Sequence, residues 1–140
     1  MKTAIALLAI CLTGSLAVWA ASPDSDFQAA SDRALQNART PAGREYEAKV
    51  RPLITKAVQD AVQECLRGNQ AEAEFGIVFF IAANGQAQRV TCSSREPIVT
   101  CAVKKIRFET ALPPPPGDKW AVQIRMSFDF WQSSTIKPKR

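Results

Sequence analysis

A chain of 140 residues that is 46% hydrophobic and 22% charged suits one domain with one modest core, and its composition excludes a disordered polymer or a collagen-like repeat. It contains no histidine, which removes Ser-His-Asp and Cys-His nucleophile pairs and every metal site that needs an imidazole. The net charge of +5 is mild and dispersed, apart from the Lys104-Lys105-Arg107 cluster and the tail Lys137-Pro138-Lys139-Arg140; without a basic and aromatic stripe, nucleic acid is not an expected partner.

Residues 1–20 read as a secretory signal peptide. Lys2 gives a cationic start, Ala4 to Leu12 is an uncharged apolar run, and Val18-Trp19-Ala20 suits cleavage after Ala20. Ser15-Leu16-Ala17 is a second candidate site. Ile10 stands before Cys11 where a lipoprotein needs a small residue, which argues against that class. An uncleaved signal anchor is the alternative, because Thr3 to Ala21 is almost long enough to span a bilayer, and only then would the chain be membrane-anchored. In both cases the remainder leaves the cytosol. Three cysteines then stand in an oxidising compartment: Cys65, Cys92 and Cys101. They allow one bridge and one free thiol, and the absence of a C-x-x-C pair excludes thioredoxin-like chemistry and a zinc ribbon.

Residues 21–43 form a polar, Ala-rich leader or linker. Ser22-Pro23-Asp24 can start a helix there, Phe27, Ala30, Ala34 and Leu35 give a thin apolar stripe, and Thr40-Pro41-Ala42-Gly43 ends it outside the main core. The core domain is expected over 44–131. Tyr46, Val50, Leu53, Ile54, Ala57, Val58, Ala61, Val62 and Cys65 recur at spacings of three and four, predicting an amphipathic helix whose regular part starts at Pro52.

Phe75 to Ala82 and Gln86 to Cys92 are β-rich runs joined through Asn84-Gly85, the strongest short hairpin signal. The first is apolar at consecutive positions, as a strand covered on both faces would be. Ser93 to Leu112 carries both a helical and an alternating pattern; Glu96-Pro97 favours a helix from Pro97 to Lys105, followed by extended Ile106-Arg107-Phe108.

Pro113 to Pro116 have no N–H to give a ladder and predict a rigid polyproline connector rather than a ligand for a proline-recognising domain. Trp120 to Trp131 then alternates, with Val122, Ile124, Met126, Phe128 and Phe130 on one face and Gln123, Arg125, Ser127 and Asp129 on the other. Residues 132–140 are a basic tail expected to fray. These elements predict an α+β fold: a three-stranded antiparallel sheet packed on two helices in two layers.

From about Tyr46 to Phe130 the chain resembles the C-terminal domains of the TonB/TolA family, nearest the variant at the ends of myxobacterial gliding-motility proteins. The likeness is carried by Glu64-Cys65-Leu66 at the helix end, Gly76-Ile77-Val78-Phe79-Phe80-Ile81 with Asn84-Gly85, Cys101-Ala102-Val103, and Leu112-Pro113-Pro114-Pro115-Pro116-Gly117 with Val122 to Phe130. The resemblance implies a non-enzymatic module of the periplasm or bacterial cell envelope, without cofactor or metal. It also implies a partner segment from an envelope or outer-membrane protein, bound by strand addition along Val122, Gln123, Ile124, Arg125, Met126, Ser127 and Phe128. That edge is expected to be open, and a homodimer could form by pairing it. The resemblance further implies a Cys65–Cys101 bridge, leaving Cys92 free. Family energy transducers have a long spacer and an anchor histidine that this chain lacks, so a free-standing binding module is the expectation.

A small secreted, disulfide-containing inhibitor or immunity-type protein is the alternative. Its contacts would be the Asn84-Gly85 turn, the proline connector, and Trp120 or Trp131. The carboxylates Glu45, Glu47, Glu64, Glu72, Glu74 and Asp129 read as solvated surface charge rather than an acid/base pair, and Lys104-Lys105-Arg107 as a solvated helix face.

Overall fold

A computed structural model describes residues 23–66, 72–129 and 137–139. Residues 1–20, read above as a signal peptide, together with Cys11, Phe130 and Trp131, lie outside the described residues. Seven elements follow one another: α1 (Pro23–Arg39), α2 (Pro41–Leu66), β1 (Glu72–Ile81), β2 (Ala87–Cys92), α3 (Pro97–Lys105), β3 (Trp120–Asp129) and β4 (Lys137–Lys139). The fold is α+β, with the three long strands antiparallel and packed on α2 and α3 as the sequence predicts. The strand order in the sheet is β2-β1-β3-β4.

Alternation along β1 decides how the layers form. Ala73, Phe75, Ile77, Phe79 and Ile81 point into the main core, where they meet Val50, Ile54, Val58 and Val62 of α2, Val99 and Ala102 of α3, and Val122, Ile124, Met126 and Phe128 of β3. Two edge-to-face ring pairs bracket this core, Phe75 with Phe128 at 6.3 Å and Phe79 with Phe108 at 5.9 Å. Val78 and Phe80 point the other way, and so does Ala121 of β3. Those side chains need a second cover, which α1 supplies through Phe27, Ala30 and Ala34. The expected two layers are therefore three, and the leader, read as a helix or linker outside the main core, is a helix packed on the sheet. Gly76 makes the close approach feasible, since a Cβ there would sit 2.8 Å from Phe27 Cζ. Asp26 and Arg89 are 3.4 Å apart at the start of α1, and the Arg89 guanidinium lies over the Phe80 ring.

Helix α2 begins at Pro41, eleven residues before Pro52. Pro41 fits a first-turn position that needs no N–H, and the Thr40 hydroxyl accepts a bond from the Gly43 amide at 3.0 Å. The break between α1 and α2 is thus the single residue Thr40 rather than Thr40 to Gly43. Pro52 is tolerated inside the helix because it and Ala48, whose carbonyl loses its donor, both face solvent. Leu53 also faces solvent, 47% exposed, although its spacing placed it on the buried stripe. The outer face is laced by Glu45–Lys49, Glu47–Arg51 and Lys56–Asp60 pairs at i,i+4.

The hairpin closes by a type I turn in which the Gly85 amide donates to Ala82 O at 2.9 Å, with Gly85 in the left-handed region at φ 84°. The main chain of Leu112 donates to Gly85 O at 3.0 Å, and a Cβ on Gly85 would meet Leu112 O at 1.8 Å. The proline segment is thereby tied to the hairpin. A second tie is the Tyr46 hydroxyl, which donates to Pro113 O at 2.8 Å. Trp120 is half-buried against Tyr46 with ring centroids 6.2 Å apart.

Gly85→Ala should lower stability by at least about 1–2 kcal/mol, the usual cost of a left-handed L-residue, with the Leu112 overlap added. Urea unfolding measures it. Burial pushes the Tyr46 phenol up to about 12. The folded chain then keeps a proton that the unfolded chain releases near pH 10. The stability linked to Tyr46 is complete below pH 10 and is lost as pH climbs towards 12. Tyr46→Phe should flatten that decline and cost about 1 kcal/mol at neutral pH through the missing hydrogen bond. Denaturation midpoints between pH 8 and pH 12 test both effects.

Candidate functional site

The predicted binding strand is β3, and its two sides are set by alternation. Val122, Ile124, Met126 and Phe128 are buried in the main core. On the opposite face, beneath or beside α1, Gln123 and Ser127 are half-buried and Arg125 is exposed. One lateral edge of β3 is paired with β1 over its full length, from Glu72↔Asp129 to Ile81↔Trp120.

The other edge carries the binding question. It pairs with β4 through Arg125↔Lys139, Met126↔Pro138 and Ser127↔Lys137. Pro138 has no N–H, so its place opposite Met126 is a non-hydrogen-bonded one, and the ladder bonds fall to Arg125 and Ser127. By alternation the outward main-chain groups of β3 belong to Ala121, Gln123, Arg125 and Ser127. Asn37 at the end of α1 donates its amide to Ala121 O at 3.3 Å. Among the described residues, Gln123 is then the step of this edge with no strand or side chain bonded to its main chain. The expectation of an edge open from Val122 to Phe128 is corrected over Arg125–Ser127, where the chain covers itself.

On the α1 face, crossing the sheet from β3 over β1 to Ser93 after β2, runs a groove of about 440 Å³. Phe27, Ser31 and Leu35 of α1 form one wall, and Glu74, Gln123 and Arg125 lie along the other. Leu35 is 51% exposed there rather than packed on the sheet. The Ser31 hydroxyl, buried, donates to Gln123 Oε1 at 2.8 Å and fixes the amide at the groove floor. Sequence reasoning missed Ser31, Asn37 and the tail residues. Ser31 follows Ala30 and precedes Ala34 by three, so its place beside the apolar stripe was a readable signal. The Lys137-Pro138-Lys139 segment has no alternation and offers none.

The thiols are arranged as the resemblance implied. Cys65 and Cys101 form a disulfide with Cα atoms 6.0 Å apart, joining the last turn of α2 to α3. Lys105 donates to Glu64 at 2.5 Å alongside it. Cys92 is a free, half-buried thiol that packs on the core and donates to Ser94 O at 3.2 Å.

Glu45, Glu47 and Glu64 pair with Lys49, Arg51 and Lys105, and Lys49 holds the Glu45 carboxyl below its ordinary range. A second groove of about 260 Å³, between α2 and the segment after α3, contains the paired Lys56, Asp60, Glu64 and Lys105. Asp60 holds the Lys56 ammonium above its ordinary range. Among the described residues no group of three acidic, cysteine or histidine side chains could hold a metal ion, and no helix is long and apolar enough to cross a membrane.

No protein-family model matches the chain, and neither a curated protein nor a solved structure matches it.

The bridge spans 36 residues of sequence. Replacing both Cys65 and Cys101 with Ala should therefore lower unfolding free energy by about 2–4 kcal/mol on chain-entropy grounds. Urea denaturation of the double variant, with wild type in dithiothreitol as a parallel sample, checks it.

Proposed function

We propose that the chain is a non-enzymatic interaction module of the bacterial cell envelope, like the TonB/TolA C-terminal domains it resembles. It binds an extended segment of an envelope or outer-membrane protein by strand addition at the outer edge of β3. The observation that carries this reading is β4 itself. A three-residue segment with no strand-forming residue, and with a proline at its centre, pairs with Arg125–Ser127. An edge that accepts so poor a strand presents its main-chain groups in register and unobstructed, which is what β-augmentation needs. Arg125, which lines the groove on the α1 face, supports selectivity, because a side chain of an added strand on that face would fall beside it.

Gln123→Pro removes an outward N–H of this edge without touching a bond to β1. Gln123→Ala keeps that N–H and loses only the Ser31 bond. A photo-crosslinker at Arg125 should capture an envelope protein in the wild type and in Gln123→Ala. Capture should fall at least about tenfold in Gln123→Pro, the effect of losing one or two interstrand hydrogen bonds. Undiminished capture by a Gln123→Pro protein with an unchanged melting curve overturns the proposal.

A further inference from the structure

The register of β4 on β3 identifies what kind of segment fits this edge better than the chain's own. Antiparallel partners directly opposite one another share a face with Cβ atoms about 5 Å apart, and like charges in that position repel. Two rows matter on the α1 face. In one, Gly76 of β1, Arg125 of β3 and Lys139 of β4 are register partners, so the sequence sets two basic residues opposite one another on adjacent strands. In the next, Glu74 of β1, Ser127 and Lys137 are register partners, so the basic residue stands opposite an uncharged one with an acidic position in the same row. Glu74 is the one acidic residue among those described along the groove, against Arg125. The segment in place is therefore suited to the edge at position 137 and unsuited at position 139.

We infer that the outer edge of β3 selects an extended segment with a basic residue opposite Ser127 and an acidic residue opposite Arg125, and that residues 137–139 are a weak self-occupant which such a segment displaces. The inference rests on the strand-addition reading and adds to it the chemistry of the partner. The acidic residue converts the repulsive row into an attractive one. A non-proline residue between the two costs nothing on this edge, because the position opposite Met126 makes no ladder bond to β3. Flanking β-branched residues favour the extended conformation that the visitor must adopt. The tether between β3 and β4 keeps the self-occupant at high local concentration, so a free segment competes only when its own pairing is better.

Two fluorescent peptides test this on the full chain: Thr-Lys-Val-Glu-Val-Thr, and the same peptide with Lys in place of Glu. The Glu peptide should bind about tenfold more tightly, the size expected when a cross-strand pair changes from repulsive to attractive. Arg125→Glu should invert that order, and should slow hydrogen exchange at the Arg125-position and Ser127 amides as the tail pairs better. Lys139→Glu should weaken the Glu peptide about tenfold by improving the self-occupant. Equal affinity for the two peptides, with both lost in Gln123→Pro, overturns the charge selection and leaves strand addition standing. A Lys139→Glu protein that binds the Glu peptide as wild type does overturns the displacement. Binding that survives Gln123→Pro, or no binding by either peptide even when Lys139→Pro frees the edge, overturns strand addition itself.

Discussion

Ile77 and Val78 are neighbours in sequence, point to opposite sides of the sheet, and are both fully buried. No single layer of helix can cover both. That constraint organises the molecule: α2 and α3 cover the face of Ile77, α1 covers the face of Val78, and β1 takes the centre with β2 and β3 on its flanks. Each buried side chain of this size contributes about 1.5–3 kcal/mol relative to exposure, so neither face could be left wet in a domain this small. The cover on the second face is thin, built from Ala30, Ala34 and half-buried Phe27, and forms a cluster separate from the main core.

Much of the core was legible because its signals are local. The spacing of Val50, Ile54, Val58 and Val62 predicts a helix, the alternation from Val122 to Phe128 predicts a strand with one buried side, and Pro97 marks the start of α3 where it is found. The consecutive apolar residues Ile77 to Ile81 correctly indicated burial on both faces, but the element covering the second face was not inferred from them. Stripe width explains this. Two alanines and one phenylalanine in a polar helix of seventeen residues look like a linker until Gly76 is known to lie beneath Phe27. Leu35 and Leu53 were assigned to buried stripes and are solvent-exposed, since spacing gives a face and not its width.

The edge was legible in position and not in occupancy. Alternation finds the strand; it says nothing about which segment lies beside it, because 137–139 carries no alternation of its own to mark it as a strand. Exposed strand edges are a hazard in any sheet protein, and charge, proline or a short covering strand are the usual remedies. Here all three fall in one place, in Arg125, Pro138 and β4.

The cross-link between Cys65 and Cys101 closes a covalent ring around β1, β2 and the first half of α3, and leaves α1, β3 and β4 on its outside. Constraint of the denatured chain is therefore unevenly distributed: the hairpin is confined before folding begins, whereas the arms on either side of the ring remain free random walks. Cooperative opening from the ends inward would release those arms while the ringed hairpin keeps its topology. A pull on β3 would accordingly reach the ring through the main chain of residues 102–119 as well as through the ladder and apolar contacts with β1.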